Sequence, residues 1–286
     1  MDSPPLVVVF GSAGTIGAPL CGYLQRSGLQ VMGVSHAQCD LLDPKATREL
    51  VQGLPAQATV VFTSVINRWK EDSFAAMTRN LAMVENLAVP ARGRIRAMVY
   101  LSSVDVYGRF PRLPLREDSP VLPESYYALA KFAGERLMIR SLQPDCPVAV
   151  LRLPGVYGKG PGERSVLGSF LEKVLNRTPI TIFGDGSILR DFVFVDDVCE
   201  IIRRLVLQPR PGTFNLATGT SLPLREVLAT LGRVLEQAPD LRFAPPQGDS
   251  AGDLTFDITG LELAFPGWTA TSLAAGAGQL AARIRG

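Results

Sequence analysis

Residues 6–17 read LVVVFGSAGTIG. Leu6–Phe10 is apolar at every position, the pattern of a strand buried on both faces. Gly11, Gly14 and Gly17 follow at once, spaced G-x-x-G-x-x-G, and Ile16–Ser27 then has a helical pattern closed by Gly28. Glycines at a strand-to-helix turn allow a tight bend and close backbone approach. The helix N-terminus adds N–H donors and positive partial charge, so the turn suits a pyrophosphate. The spacing is not the common G-x-G-x-x-G, and a turn that merely packs well would look similar. Its place between the first strand and the first helix favours dinucleotide binding, with Gly11, Ala13, Gly14, Thr15, Ile16 and Gly17 as the cradle.

Working outward, strand-like and helical runs alternate. Leu29–Val34, Thr59–Ser64, Ala97–Ser102 and Val148–Leu153 read as strands. Pro44–Gly53, Ser73–Leu87 and Tyr126–Leu142 read as helices. Strands hydrophobic throughout and alternating with helices predict an α/β fold, a Rossmann-type doubly wound parallel sheet covered on both faces. Ligands of such sheets lie beyond the carboxyl ends of the strands. After about residue 154 Gly and Pro become frequent (LPGVYGKGPGE, 153–163). A helix near Ser165–Asn176, a strand ITIF (180–183), a GDG turn, RDFVFVDDV (190–198) and a helix to about Leu207 come next. FNLA (214–217), a helix over Leu224–Glu236 and a C-terminal helix complete the chain. The expected division is a dinucleotide-binding domain over 1–154 and a smaller substrate lobe over 155–286, interleaved with the last sheet strands.

The 286 residues carry a formal charge of +2, which gives no reason to expect a nucleic acid or an anionic membrane as partner. Cys21, Cys39, Cys146 and Cys199 are scattered, as free thiols in a reducing compartment would be. The N-terminus lacks the basic start of a signal peptide, and no apolar stretch approaches the ~20 residues of a membrane span, so a cytoplasmic protein is expected. His36 is the single histidine, which excludes His-based triads and multi-His metal sites.

Residues 125–135, SYYALAKFAGE, place Tyr127 and Lys131 four apart, on one face of the helix. By itself this pair favours a surface tyrosine over a solvated lysine, and a proton donor beside a cation is the alternative that the rest of the chain must support. The strand AMVYLS runs into SSVDVYG (102–108), whose start lies at a carboxyl strand end. After the second strand comes Val34-Ser35-His36, without the carboxylate that often binds the adenosine ribose. Nothing there repels a 2′-phosphate, and Ser35 and His36 are the polar groups on hand. NADP(H) is therefore preferred, with NAD(H) as the alternative.

The motifs GSAGTIG, SSVDVYG and YALAK, in that order, resemble the extended short-chain dehydrogenase/reductase family, whose members include nucleotide-sugar epimerases, dehydratases and ketoreductases. The resemblance extends over about residues 6–284. Asp40-Leu41-Leu42-Asp43 is similar to the adenine-contacting acidic motif, and Asn80 to the asparagine of N-x-x-G-T. RLPGVYG (152–158) resembles R-x-x-N-V-Y-G, GDGSILRDFVFVDDV resembles the family's G-D-G-x-x-x-R-D-F-V-H-V-D-D-V, and FPGWTATSLAAG resembles its tail. The resemblance implies Ser103, Tyr127 and Lys131 as the catalytic set, with Tyr127 as general acid. Lys131 would also hold the nicotinamide ribose, and its charge is expected to lower the Tyr127 pKa. Asp40, Leu41 and Leu153 join the cofactor site. Ser103, Asp105 and Arg190 would meet substrate, Arg190 as a clamp on a diphosphate. Ser103 could instead be only a strand-end cap, Arg190–Asp191 only a strand-holding pair, and Arg68 either a phosphate contact or an ordinary loop arginine. Asp196 and Asp197 are expected to cap a helix.

Departures narrow the reading. Val104 stands where dehydratases carry an acid, so full 4,6-dehydration is not expected, while Asp105 keeps the position of their base. Gly155 replaces the asparagine of R-x-x-N-V-Y-G, Phe194 the His or Tyr of V-H-V-D-D, and P-P-Q-G-D (245–249) lacks an arginine before G-D. The first expectation is a reductase of a nucleotide-activated (dTDP-type) 4-keto-6-deoxysugar. The alternatives are a nucleotide-sugar 4-epimerase with tightly bound NAD, a reductase of a ketone without a nucleotide, and a non-catalytic dinucleotide sensor. Family members often pair as homodimers.

Overall fold

The computed structural model describes residues 5–108, 112–160, 165–246 and 252–285. Parts of two sequence motifs, 161–163 and 247–249, lie outside them. The elements are β1 (Val7–Phe10), α1 (Gly17–Arg26), β2 (Val31–Val34), α2 (Pro44–Gln52), β3 (Thr59–Phe62), α3 (Phe74–Ala91), β4 (Ala97–Ser103), α4 (Tyr126–Leu142) and β5 (Val148–Leu153). They continue with β6 (Gly155–Tyr157), α5 (Val166–Leu175), β7 (Ile180–Phe183), β8 (Leu189–Arg190), β9 (Phe192–Phe194), α6 (Val195–Leu207), β10 (Gly212–Asn215), β11 (Leu222–Pro223), α7 (Leu224–Leu235), β12 (Leu241–Ala244), α8 (Thr259–Ala264) and α9 (Leu273–Arg285).

Six strands form the main sheet in the order β10-β5-β4-β3-β1-β2, and β1–β2, β1–β3 and β3–β4 pair in parallel. The chain reverses its direction of travel across the sheet between β1 and β3, as in a doubly wound fold. β1, β3, β4 and β5 are buried at every residue, while the edge strand β2 is partly open. That is the burial behind their mainly apolar sequences, with Arg152 in β5 as the charged exception. Phe10, Val60, Phe62, Met98, Tyr100, Leu87 and Val150 belong to one core cluster. α3 runs past the expected end at Leu87 to Ala91, with Pro90 in its last turn. Proline there forfeits one bond of the ladder, its missing N–H to the carbonyl four residues back, and the helix ends one residue later.

The chain divides into two compact units. One comprises 1–108, 120–152 and 199–214, and the other 109–119, 153–198 and 215–286. The first holds the parallel sheet. The second has its own core of Tyr157, Leu167, Leu171, Ile182, Phe194, Leu231 and Leu280. Its small sheets pair β7 with β12 and β6 with β9 in parallel, and β8 with β11 antiparallel. Asp196 and Asp197 lie inside the first turn of α6. There they tie down the C-terminal segment, a structural role. Asp197 accepts bonds from the Thr271 N–H and hydroxyl, both at 2.8 Å, and Asp196 pairs with Arg283 at 2.6 Å. No helix among the described residues is long and apolar enough to cross a membrane.

Candidate active site

The glycine turn after β1 has the geometry its sequence demands. Gly11 has φ +86°, and a β-carbon there would meet Thr63 Oγ1 at 2.5 Å. A β-carbon on Gly17 would come within 2.2 Å of the Gly11 carbonyl oxygen, and one on Gly14 within 3.0 Å of it. The start of α1 thus lies against the end of β1, and Ile16 gives the helix no side-chain cap. Ala13, Thr15 and Ile16 complete this bare-backbone cradle, which fits a dinucleotide pyrophosphate. Past β2, the Ser35 N–H and hydroxyl both donate to Gln38 Oε1, at 2.7 and 2.8 Å. His36 Nδ1 lies 3.6 Å from Asp40 Oδ1. Asp40 accepts the Leu42 N–H, Asp43 caps α2, and the Leu41 carbonyl accepts from Asn86. Asn80 clamps the loop after β3, accepting from Ile66 N at 2.7 Å and donating to its carbonyl at 3.1 Å.

At the end of β4 the chain tightens into a 3₁₀ turn, Val104–Tyr107, in which Ser103 Oγ accepts the Asp105 N–H at 3.2 Å. Ser103 therefore is the strand-end cap. α4 is capped twice: Ser125 Oγ accepts from Ala128 N and Asp72 Oδ1 accepts from Tyr127 N at 2.9 Å. Gly134 lets α4 lie on β4, because a β-carbon there would meet the Tyr100 hydroxyl at 2.2 Å. Lys131, 4 % exposed, donates from Nζ to the Leu101 carbonyl at 2.7 Å, and its Nζ lies 5.9 Å from the centroid of the Tyr127 ring. Ser103, Tyr127 and Lys131 thus converge at the carboxyl end of one central strand. Leu153 is the buried last residue of β5.

The electrostatics differ from the expectation that Lys131 lowers the Tyr127 pKa. Burial pushes the phenol up, Asp105 adds to this, and the Ser103 hydrogen bond and Arg68 work against it. Burial also brings Lys131 down to about 8, against the opposing pull of Glu135. Lys131 stays mostly charged at neutral pH, but its ammonium is directed to the Leu101 carbonyl. The Asp105 carboxylate pairs with Arg68, Nη1 to Oδ2 at 3.0 Å.

Beneath the site lies a buried polar cluster absent from the sequence-based candidates. Arg152 donates to both oxygens of Glu135, at 3.0 and 2.8 Å, and to the Tyr107 hydroxyl at 2.9 Å, and Ser102 donates to Glu135. Burial works against the Arg152 charge, yet Glu135 holds its pKa above the ordinary value. The signals were present. Glu135 follows Lys131 by four on the same helix face, and Arg152 interrupts the otherwise apolar run VAVLRL.

In the second unit, Arg190 Nη1 donates to the carbonyls of Leu189 and Gly252, at 2.7 and 2.8 Å. Asp191 accepts from the Thr218 N–H and hydroxyl, and burial raises it to about 6. At Gly155 a β-carbon would come within 2.7 Å of the Phe192 ring.

The sequence model of the NAD dependent epimerase/dehydratase family matches residues 7–217. The chain belongs to this family. It is therefore an NAD(P)-dependent enzyme of the short-chain dehydrogenase/reductase type. A UDP-glucose 4-epimerase of Mycolicibacterium smegmatis is 31 % identical over 275 residues, covering 86 % of this chain and 87 % of the relative. A GDP-6-deoxy-D-mannose reductase of Pseudomonas aeruginosa is 28 % identical, over 80 % of this chain and 79 % of its own. Among solved structures, a Thermus thermophilus UDP-glucose 4-epimerase in complex with NAD superposes with a TM-score of 0.85 at 26 % identity, covering 98 % of this chain and 99 % of the other. The family and the glycine cradle agree on the cofactor class.

Proposed function

We propose that the enzyme reduces the 4-keto group of a nucleotide-activated 4-keto-6-deoxysugar, of the dTDP type, with NADPH as the preferred donor. The observation that carries this reading is the Lys131 ammonium, bonded to the Leu101 carbonyl near the carboxyl end of the strand that closes on Ser103, 5.9 Å from the centroid of the Tyr127 ring. The reduced dinucleotide supplies hydride to the carbonyl carbon. Ser103 orients the carbonyl oxygen by donating a hydrogen bond. As the oxygen gains negative charge, Tyr127 gives it the phenolic proton, and the products are the secondary alcohol and the oxidised dinucleotide. Lys131 is assigned to the nicotinamide ribose, whose hydroxyls would accept from its ammonium in place of the Leu101 carbonyl. The second unit is assigned to the sugar nucleotide, with Arg190 on the diphosphate. Val104, an apolar side chain in the dehydratase acid position, supports reduction over dehydration. The lack of a carboxylate directly after β2 supports NADP(H).

A second reading, a nucleotide-sugar 4-epimerase, is favoured by the 31 % identical relative. There Tyr127 would first take and then return a proton, and the dinucleotide would stay bound. Denaturing the purified protein and quantifying released dinucleotide separates the two. Near-stoichiometric NAD supports the epimerase. An empty protein that binds NADPH and reduces dTDP-4-keto-6-deoxyglucose supports the reductase. Failure to bind either dinucleotide would sink both.

A further inference from the structure

We infer that Glu135 and Arg152 are positioning residues: through Ser102 and Tyr107 their buried pair fixes where the Ser103 hydroxyl stands against the helix that carries Tyr127 and Lys131. This role rests on the reading of Ser103 and Tyr127 as the groups that meet the reacting oxygen. Neither Glu135 nor Arg152 takes part in the hydride or proton transfer itself.

Ser103 is braced on both sides along the chain. Just before it, the Ser102 hydroxyl donates to Glu135 Oε1. Just after it, Tyr107 closes the 3₁₀ turn that Ser103 caps, and the Tyr107 hydroxyl accepts from Arg152 Nη1 at 2.9 Å. Arg152 reaches in from β5, the neighbour of β4 in the sheet, and its Nε and Nη2 donate to Glu135 at 3.0 and 2.8 Å. The two braces are thereby joined. Glu135 stands one turn beyond Lys131 on α4, so both braces end on the helix that carries Tyr127. Lys131 grips the adjacent residue of β4, donating to the Leu101 carbonyl at 2.7 Å. Successive turns of α4 thus hold successive residues of β4, Leu101 and Ser102, which sets the register of helix against strand.

Stability alone does not account for this cluster. Ser102, Tyr107, Glu135 and Arg152 are each 5 % exposed or less. Burying two charges costs desolvation, and an apolar set of the same volume often packs as well or better. What an apolar set lacks is direction. A planar guanidinium forked onto a carboxylate fixes orientation as well as distance. Direction matters here because a misplacement of about 1 Å between reacting groups can cost about a hundredfold in rate. Ser103 Oγ accepts the Asp105 N–H, which leaves the one hydroxyl proton to be donated to substrate. The turn that keeps it so is the one Tyr107 closes onto Arg152.

The test is single-turnover reduction of dTDP-4-keto-6-deoxyglucose by NADPH, measured together with KM for the ketone, NADPH affinity and melting temperature. Tyr107→Phe and Ser102→Ala each remove one brace. Each should slow the reaction by about tenfold and leave KM and NADPH affinity within about twofold of wild type. Made together, they should slow it by less than the product of the two, because both act through the one pair. Replacing the whole cluster (Ser102→Ala, Tyr107→Phe, Glu135→Leu and Arg152→Met) strands no buried polar partner. That protein should melt near the wild type yet react about ten- to a hundredfold more slowly, a loss that a merely structural cluster would not produce. If it does not fold, the two single variants and their combination carry the test. Folded variants that react at the wild-type rate, or that lose only KM or NADPH affinity, would overturn the inference and leave the role of Tyr127 standing. A wild type that does not reduce the ketone, or a Tyr127→Phe variant as fast as wild type, would overturn the Tyr127 reading and the inference with it.

Discussion

Replacing Tyr127 by phenylalanine removes one oxygen from a half-buried ring and leaves the capping of α4 by Ser125 and Asp72 intact. Single-turnover hydride transfer should fall by about 10²–10⁴-fold while NADPH affinity changes by less than about twofold. An equal loss of both would mean that the ring holds the fold or the cofactor rather than the proton. Lys131 has a different signature. Its folded pKa, about 8, lies below its ordinary 10.5. Between these values the unfolded chain binds the proton and the folded chain does not, so this residue's contribution to stability rises with pH across that window. Lys131→Met should abolish the rise. In urea unfolding of the cofactor-free protein, wild-type stability relative to the variant should increase from about pH 8 to about pH 10. A flat difference would mean that Lys131 is not desolvated in solution.

Among the elements, α1 and α4 each depend on a glycine for close approach. Gly17→Ala drives a β-carbon onto the Gly11 carbonyl. Dinucleotide binding by isothermal calorimetry should weaken by roughly tenfold or more, since the cradle must open. Gly22→Ala, in the same helix, meets only the tip of the Arg26 side chain at 3.1 Å. It should leave binding alone and stabilise by about 0.5–1 kcal/mol. β5 and α4 are joined by the buried Arg152–Glu135 pair, both oxygens of the carboxylate being engaged. Arg152→Met strands a buried carboxylate and should cost about 3–5 kcal/mol in urea denaturation. A smaller cost would show that water reaches Glu135 once the arginine is gone.

At the scale of the molecule, the chain enters the parallel-sheet unit three times and the second unit three times. The expected division, 1–154 and 155–286 with the second part interleaved with the last sheet strands, has one boundary, whereas the two units alternate along the chain. The residues assigned to hydride transfer all belong to the first unit, and Arg190 to the second. If the second unit holds a sugar nucleotide, Arg190→Ala should raise KM for dTDP-4-keto-6-deoxyglucose by roughly tenfold without weakening NADPH. An unchanged KM would favour a ketone that carries no nucleotide.

The parallel α/β architecture, the glycine cradle and the Tyr127–Lys131 face were legible because each rests on local rules. Strands buried on both faces need unbroken apolar runs, a tight turn needs residues without a β-carbon, and four residues make about one helical turn. The Arg68–Asp105 pair, the Asp72 cap and the Glu135–Arg152–Tyr107 cluster were not legible as partnerships. Each joins segments tens of residues apart, adjacent only once the sheet order is set. The electrostatics followed the same division. Sequence placed a lysine one turn from the tyrosine, but burial lowered its pKa and its ammonium went to a carbonyl, while an aspartate and an arginine from two other loops came to act on the phenol. Which side chains stand together in which helix or strand is written in the sequence. Which charges meet, and in how much water, is decided only by the tertiary structure, because desolvation and distance are properties of the packed chain.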